Sequence, residues 1–156
     1  MALMDSGEHA YTSTSGDGER QNRRMVVMQV GASASQLPPL RLVAADLAAR
    51  ADFDLDTVED LRLAVDEAVS ELVAIAVPDA VLICTFRLDA GQMEVSSSVA
   101  AKPGASVRRD SFGWRVLTTL VDEVRVTDES ESDPSIVGIT LLKRRRDEDE
   151  TVAQRR

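Results

Sequence analysis

Apolar residues recur every three or four positions along residues 61–76, the spacing of an amphipathic helix that buries one side. Its apolar members are Leu61, Ala64, Val65, Ala68, Val69, Leu72 and Ala76. Asp66, Glu67 and Glu71 stand in the middle of the same stretch. Glu67 and Glu71 lie one turn apart, where like charges repel by roughly 0.2–0.5 kcal/mol. A solvated helix face tolerates that cost and a ligand site uses it, so the pattern leaves both interpretations open.

The same reasoning predicts eight elements along the chain. Strands are predicted over residues 25–30, 81–88, 92–99, 124–128 and 135–144, and helices over residues 33–51, 52–78 and 111–124. Asp56 is the expected N-cap of the second helix, because Glu59 follows three residues later as in a capping box. Phe112 and Trp114, at the start of the third helix, are predicted to pack in the core or at the mouth of a pocket, and contact with a partner is the alternative.

The order β-α-α-β-β-α-β-β predicts an α+β fold, a two-layer sandwich with the helices on one face of a mainly antiparallel sheet. The connection through the third helix leaves a mixed sheet open. We expect one domain over residues 25–143. Residues 1–24 are predicted to form a disordered polar leader, and residues 144–156 a charged flexible tail.

Composition and charge narrow the classes of function. The net charge of −9 opposes nucleic-acid binding, which needs clustered lysines and arginines. No stretch approaches the roughly 20 apolar residues that span a bilayer, and no signal peptide is evident. The only histidine, His9, lies in the leader, which excludes histidine-based triads. A single cysteine, Cys84, fits a buried core position and a reducing cytoplasm.

Three stretches carry a resemblance to a known family: LRLAVDEAV (61–69), SFGWRVLTTLVDEV (111–124) and VGITL (137–141). With the order of elements, they resemble the bacterial anti-sigma factors of the RsbW/SpoIIAB type, most closely the actinobacterial RsbW/UsfX branch. The resemblance covers roughly residues 25–143. It implies the GHKL (Bergerat) ATPase fold, whose kinase members bind ATP and magnesium. It also implies a cytoplasmic homodimer that sequesters a stress or developmental sigma factor until a STAS-type anti-anti-sigma protein binds.

The second helix of the kinase members carries a Glu-x-x-x-Asn motif, in which the Glu polarises the attacking hydroxyl and the Asn holds magnesium. By this resemblance Glu67 takes the catalytic position, and Glu71 stands where the Asn is expected. A carboxylate can bind magnesium, since hard cations favour oxygen ligands. It also places negative charge beside a triphosphate, which disfavours the nucleotide unless a cation is bound.

The remaining nucleotide motifs depart further from the family pattern. The residues that match Asp-x-Gly-x-Gly are Ser97, Val99 and Ala101. Only Gly113 remains of the glycine pair before the third helix, where it could support phosphate binding. Gly138 and Thr140 match the terminal Gly-x-Thr motif. The loop over residues 102–110 is too short to form a lid over ATP, although Arg108 and Arg109 could meet a phosphate.

These departures favour an anti-sigma factor with a degenerate nucleotide pocket that is non-catalytic or binds ATP and magnesium only weakly. The resemblance places partner recognition around the first helix, where Arg41 matches an arginine that serves both partners; a plain exposed charge is the alternative. The acidic chain suits a sigma factor's basic DNA-binding regions. A second hypothesis is an active serine kinase that uses Glu67 as base and Glu71 with magnesium on its STAS antagonist. A third is an unrelated α+β interaction domain whose acidic residues are solvated.

Overall fold

The computed structural model describes residues 24–146; the predicted leader, apart from Arg24, and the tail beyond Arg146 lie outside these described residues. The predicted order of elements is confirmed. The strands are β1 (Met25–Gly31), β2 (Val81–Asp89), β3 (Gln92–Ala100), β4 (Glu123–Glu129) and β5 (Ile136–Arg144), and the helices are α1 (Leu37–Arg50), α2 (Leu55–Ile75) and α3 (Phe112–Leu120). A short 3₁₀ turn (Ala34–Gln36) precedes α1.

The five strands form one sheet in the order β1-β2-β3-β5-β4, and every neighbouring pair is antiparallel. The mixed sheet that the sequence left open does not form. The connection through α3 carries the chain past the position next to β3 and places β4 at the far edge. Strand β5 then returns between β3 and β4, so β3 and β4, which run in the same direction, are not neighbours.

The core lies between the sheet and α2. Alternate residues of β2 and β3 are buried, among them Leu82, Phe86, Met93 and Val95, because successive strand side chains point to opposite faces. The predicted apolar stripe of α2 covers them and is itself at most 8% exposed from Leu61 to Ala76. The periodicity therefore identified the buried side of this helix.

The N-terminus of α2 differs from the prediction. Asp54, with an extended backbone (φ −65°, ψ 161°), is the N-cap, and its Oδ1 accepts the Thr57 N–H at 2.8 Å. The Thr57 hydroxyl also donates to Asp54 Oδ2 at 2.9 Å. The expected cap, Asp56, lies inside the first turn, where its charge still suits the positive end of the helix. Glu59 pairs with Arg62 instead of completing a capping box.

Lys143 of β5 fixes the end of α3 to the rest of the fold. Its side chain is only 7% exposed, and its Nζ donates to Leu120 O at 2.7 Å and to Asp60 Oδ2 at 3.2 Å. These contacts join β5, the last turn of α3 and the first half of α2. Within residues 24–146, no helix is long and apolar enough to cross a membrane.

Candidate functional site

The carboxylates of Glu67 and Glu71 lie against the first turn of α3. Gly113 is buried there, and a Cβ added to it would fall 2.5 Å from Glu71 Oε1 and closer still to Glu67 Oε1. Only glycine permits this approach without displacing both acids. The structure therefore brings together three of the predicted site residues, two from α2 and one from α3.

Ser111 organises the start of α3. Its backbone is extended, and its Oγ accepts the Trp114 N–H at 3.0 Å, as expected of a serine N-cap. The same hydroxyl lies 2.9 Å from Arg108 O and 3.4 Å from Glu71 Oε1. The cap thus connects the preceding loop, α3 and the acidic side of α2. Both carboxylates sit beside the positive end of the α3 dipole, which favours negative charge.

The environment of Glu67 makes its ionisation less favourable than in water. Partial burial raises the pKa of Glu67 above its usual value, and the neighbouring charges of Glu71 and Asp66 raise it further. Desolvation and like charge both disfavour the anionic form of a carboxyl group. Carboxylates that act as general bases in active sites also have raised pKa values, so Glu67 shares this property with them.

The loop before α3 carries two arginines, and each has a partner close by in the chain. Arg108 Nη2 lies 3.1 Å from Asp110 Oδ2, and this pairing lowers the pKa of Asp110. The Arg109 guanidinium carbon lies 5.5 Å from the centre of the Trp114 ring. Because Arg108 and Asp110 are 72% and 75% exposed, their ion pair contributes little to stability. It does direct the Arg108 guanidinium toward its own loop.

The other predicted pocket residues lie on the sheet: Ser97 in β3, and Gly138 and Thr140 in β5. Ser97 is 4% exposed, and its hydroxyl donates to Cys84 Sγ at 3.2 Å inside the core. Gly138 and Thr140 point to the sheet face away from the helices, because their neighbours Val137, Ile139 and Leu141 face the core.

On that open face Thr140 Oγ1 is 3.0 Å from Ser96 Oγ. A Cβ at Gly138 would fall 2.6 Å from Thr127 Oγ1, so this glycine accommodates a neighbouring side chain. Gly138 and Thr140 therefore lie on the sheet face opposite to the helices, and Ser97 is bonded to Cys84 in the core. Strand alternation within VGITL was a sequence signal for this difference, since Val137, Ile139 and Leu141 are its apolar members.

Arg41 of α1 pairs with Asp66 of α2, a contact that the sequence did not predict. Arg41 Nε lies 3.4 Å from Asp66 Oδ1, and each side chain is about one third exposed. Asp66 Oδ1 is itself buried and makes no hydrogen bond among the described residues. Arg41 is thus held at the α1–α2 junction by a charge contact without good hydrogen-bond geometry.

The carboxylates near α3 do not extend into a larger ligand set. In the part of the chain that the structure describes, no group of three or more His, Cys, Asp or Glu side chains could hold a metal ion. Magnesium binding by Glu71 would therefore need oxygen ligands from outside these side chains.

Comparison with known proteins gives three findings. Residues 30–137 match the family model of the histidine kinase-like ATPase domain. The chain is 35% identical over 131 residues to the anti-sigma-F factor RsbW of two Mycobacterium tuberculosis strains, an alignment that covers 82% of this chain and 78% of the relative. A crystal structure of the RsbU and RsbW domains of an M. tuberculosis protein superposes with a TM-score of 0.56 at 18% identity. That match covers 78% of this chain but only 32% of the longer one.

Proposed function

Since this chain belongs to the histidine kinase-like ATPase family, and to its RsbW-type branch of anti-sigma factors, we propose that it sequesters an alternative sigma factor. A STAS-type anti-anti-sigma protein then releases the sigma factor by competing for the same protein. The observation that carries this proposal is the 35% identity to anti-sigma-F factor RsbW over 82% of this chain. The proposal places the protein in the cytoplasm, as a homodimer that acts in a stress or developmental response.

The electrostatics of the chain support a basic partner. Its net charge is −9, and complementary fields accelerate the association of oppositely charged proteins. Sigma factors carry basic regions because they bind DNA, whose phosphates attract lysine and arginine. An acidic protein that binds such a region would occupy the surface that DNA needs.

The proposal assigns partner contact to Arg41. Its side chain is about one third exposed and the contact with Asp66 has poor hydrogen-bond geometry, so a partner carboxylate can compete for the guanidinium group. A partner that supplies a better-aligned carboxylate would gain a charge-assisted hydrogen bond. The exchange of partners would then depend on competition between their carboxylates for the Arg41 guanidinium.

We include no phosphoryl-transfer step in the proposal, because the residues around the N-terminus of α3 do not fit a nucleoside triphosphate. Two glutamate carboxylates already lie against Gly113, so a phosphate would meet two negative charges there. Of the positions that match Asp-x-Gly-x-Gly, Ser97 is committed to Cys84 and offers no carboxylate to an adenine. We expect Glu67 to have kept its place in the fold and not its catalytic task.

Transcription tests the anti-sigma role. RNA polymerase from the source organism is reconstituted with each alternative sigma factor, and the full-length chain is added before promoter DNA. We expect inhibition with one sigma factor, and recovery when the matching STAS protein is added. Arg41→Ala should weaken inhibition at least about tenfold, since a charge-assisted contact contributes roughly 1.5–3 kcal/mol. Arg50→Ala is the matched control on the same helix, because Arg50 is 75% exposed and its ion pair, within residues 24–146, is with Asp46 of the preceding turn. Inhibition of no sigma factor would overturn the proposal.

A separate assay tests the absence of catalysis. The chain is incubated with magnesium ATP and the STAS protein, and intact masses are measured. We expect no added phosphate. Phosphoserine on the STAS protein that disappears with Glu67→Gln would favour the kinase hypothesis, for which the raised pKa of Glu67 is the supporting observation. This result is independent of the transcription assay.

A further inference from the structure

The contact between Arg41 and Asp66 leaves a buried oxygen atom unsatisfied. Among the side-chain nitrogen and oxygen atoms of residues 24–146, Asp66 Oδ1 is the one that is buried without a hydrogen-bond partner. Arg41 Nε lies 3.4 Å away, close enough for an ion pair but without the alignment of a hydrogen bond. A buried polar atom that lacks a hydrogen bond raises the free energy of the state that contains it, and more so when it is charged. The free protein therefore holds Arg41 in a contact that leaves the Asp66 carboxylate poorly satisfied.

The packing of α1 against α2 explains why this contact does not improve. The residues that precede the two charged groups in the sequence, Leu40 and Val65, are at most 1% exposed. A close-packed interior resists the small backbone shift that would align the two groups. By contrast, Arg62 and Glu59 lie on one helix near the surface and form two hydrogen bonds, of 2.8 and 3.1 Å. The geometry between the helices is therefore set by the core and not by the charges.

The same contact is accessible to a partner. Each of the two side chains is about one third exposed. The guanidinium group of Arg41 offers several N–H donors, so an incoming carboxylate can approach it from the solvent side. When Arg41 moves toward that carboxylate, Asp66 loses its cation, and a partly buried charge without its partner is unfavourable. The binding of a partner at Arg41 therefore has a cost that arises inside this chain.

We propose that Asp66 is the internal competitor for Arg41, which holds the guanidinium group in the free protein and lowers the affinity of both partners by the same factor. This inference rests on the proposed function, in which the sigma factor and the STAS protein each present a carboxylate to Arg41. Either partner must first separate Arg41 from Asp66, and that step is the same for both because it takes place within this chain. Asp66 therefore sets how tightly partners bind and not which partner is preferred.

Asp66→Asn tests the competition, because asparagine keeps the size of the side chain and removes its charge. We expect the Kd of the sigma factor and the Kd of the STAS protein each to fall about two- to fivefold, the range that corresponds to a partly exposed ion pair. The ratio of the two Kd values should stay the same. In a chain that already carries Arg41→Ala, Asp66→Asn should change neither Kd, since the competitor acts only through Arg41.

Glu59→Gln is the matched control. It removes the same charge from the same helix, but Glu59 is 58% exposed and forms its ion pair with Arg62. The loss of one negative charge weakens the long-range attraction to a basic partner equally in both variants. A tighter complex with Asp66→Asn, beside an unchanged or weaker complex with Glu59→Gln, therefore reports the contact with Arg41 and not the net charge. Isothermal titration of the full-length chain with each purified partner measures these Kd values.

A measurement without any partner tests whether Asp66 holds Arg41. NMR relaxation of the arginine Nε–H groups reports side-chain motion on the picosecond-to-nanosecond timescale. We expect the Arg41 Nε–H to be more ordered in wild type than in Asp66→Asn, with Arg50, which is 75% exposed, as the mobile internal reference. Urea unfolding should give nearly the same stability for the two chains, because the lost ion pair is offset by the removal of an unsatisfied buried charge.

Three results would overturn the inference. One is a weakening of both complexes by Asp66→Asn, as expected for Arg41→Ala. Another is a change in the ratio of the two Kd values, because the internal step is the same for both partners. The third is an Arg41 Nε–H that is equally mobile with and without the charge of Asp66. If wild type binds no sigma factor, the proposed function fails, and the relaxation measurement still decides whether Asp66 holds Arg41.

Discussion

Replacement of Lys143 by methionine tests how the fold holds α3 against α2. The Lys143 side chain is only 7% exposed, and its ammonium group donates to Leu120 O and Asp60 Oδ2. Methionine preserves most of the aliphatic volume, so the substitution removes the ammonium group with little change in packing. The last turn of α3 then loses the cation that satisfies one of its free carbonyl groups.

The expected loss is about 2 kcal/mol of unfolding free energy. A hydrogen bond to a charged group contributes roughly 1.5–3 kcal/mol, and the Leu120 carbonyl loses such a bond. Asp60 adds little to the loss, because its side chain is 28% exposed and water can replace the ammonium group. For a chain of this size, 2 kcal/mol corresponds to a fall of about 4–8 °C in Tm.

Urea unfolding, followed by circular dichroism at one fixed protein concentration, measures the change. Arg144→Met is the matched control: the neighbouring cation pairs with Glu123, and both of these side chains are about half exposed. We expect the control to lose less than about 0.5 kcal/mol. Asp60→Ala should destabilise the wild type and have almost no effect when Lys143 is already methionine. Equal small losses for Lys143→Met and Arg144→Met would refute the reasoning.

Three further predictions concern the contact of Glu67 and Glu71 with Gly113, the ionisation of Glu67, and the buried thiol of Cys84. Gly113→Ala forces the carboxylates of Glu67 and Glu71 away from α3. It should therefore raise the unfolding free energy, by about 0.5–1 kcal/mol, only in a chain where Glu67 and Glu71 are also alanine. Effects of the three substitutions that simply add would contradict the contact. Folding raises the pKa of Glu67, so the protonated side chain is the form that the fold favours. Its contribution to the unfolding free energy is fully present below the unfolded pKa and is lost as pH rises through the folded pKa. Glu67→Gln should therefore be more stable than wild type at pH 7, with a gain that vanishes toward pH 3; a gain that stays constant with pH would exclude this cause. Burial raises the pKa of Cys84 to about 11, so iodoacetamide at pH 8 should alkylate it only on unfolding, and rapid labelling of the native chain would contradict its burial.

The sequence predicted the elements well because periodicity reports burial directly. The apolar stripe of α2 and the alternation in β2 and β3 are consequences of which side chains leave water, and each appears along the chain as a local repeat. The prediction was wrong for Phe112, whose side chain is 81% exposed, while Trp114 does pack against the core. Residue type alone did not distinguish these two aromatic side chains.

The candidate site could be predicted only in part, because motif spacing does not determine which face a residue occupies. Gly138 and Thr140 match a motif in order, but strand alternation turns them to the open face of the sheet. The contact of Gly113 with Glu67 and Glu71 joins positions more than 40 residues apart. It depends on how α3 packs against α2, a tertiary arrangement with no local signal in the sequence.

The acidic residues in the middle of α2 contact both of the helices that flank it, α1 and α3. Asp66 reaches Arg41 on α1, while Glu67, the next residue, lies against Gly113 of α3. Consecutive helix residues point about 100° apart, so one turn of α2 carries a charge to each flanking helix. Asp66 also raises the pKa of Glu67, so a partner that draws Arg41 away leaves the Asp66 charge less neutralised and makes ionisation of Glu67 harder still. Two adjacent carboxylates on a single helix therefore join Arg41, the partner contact of the proposed function, to the residues around Gly113.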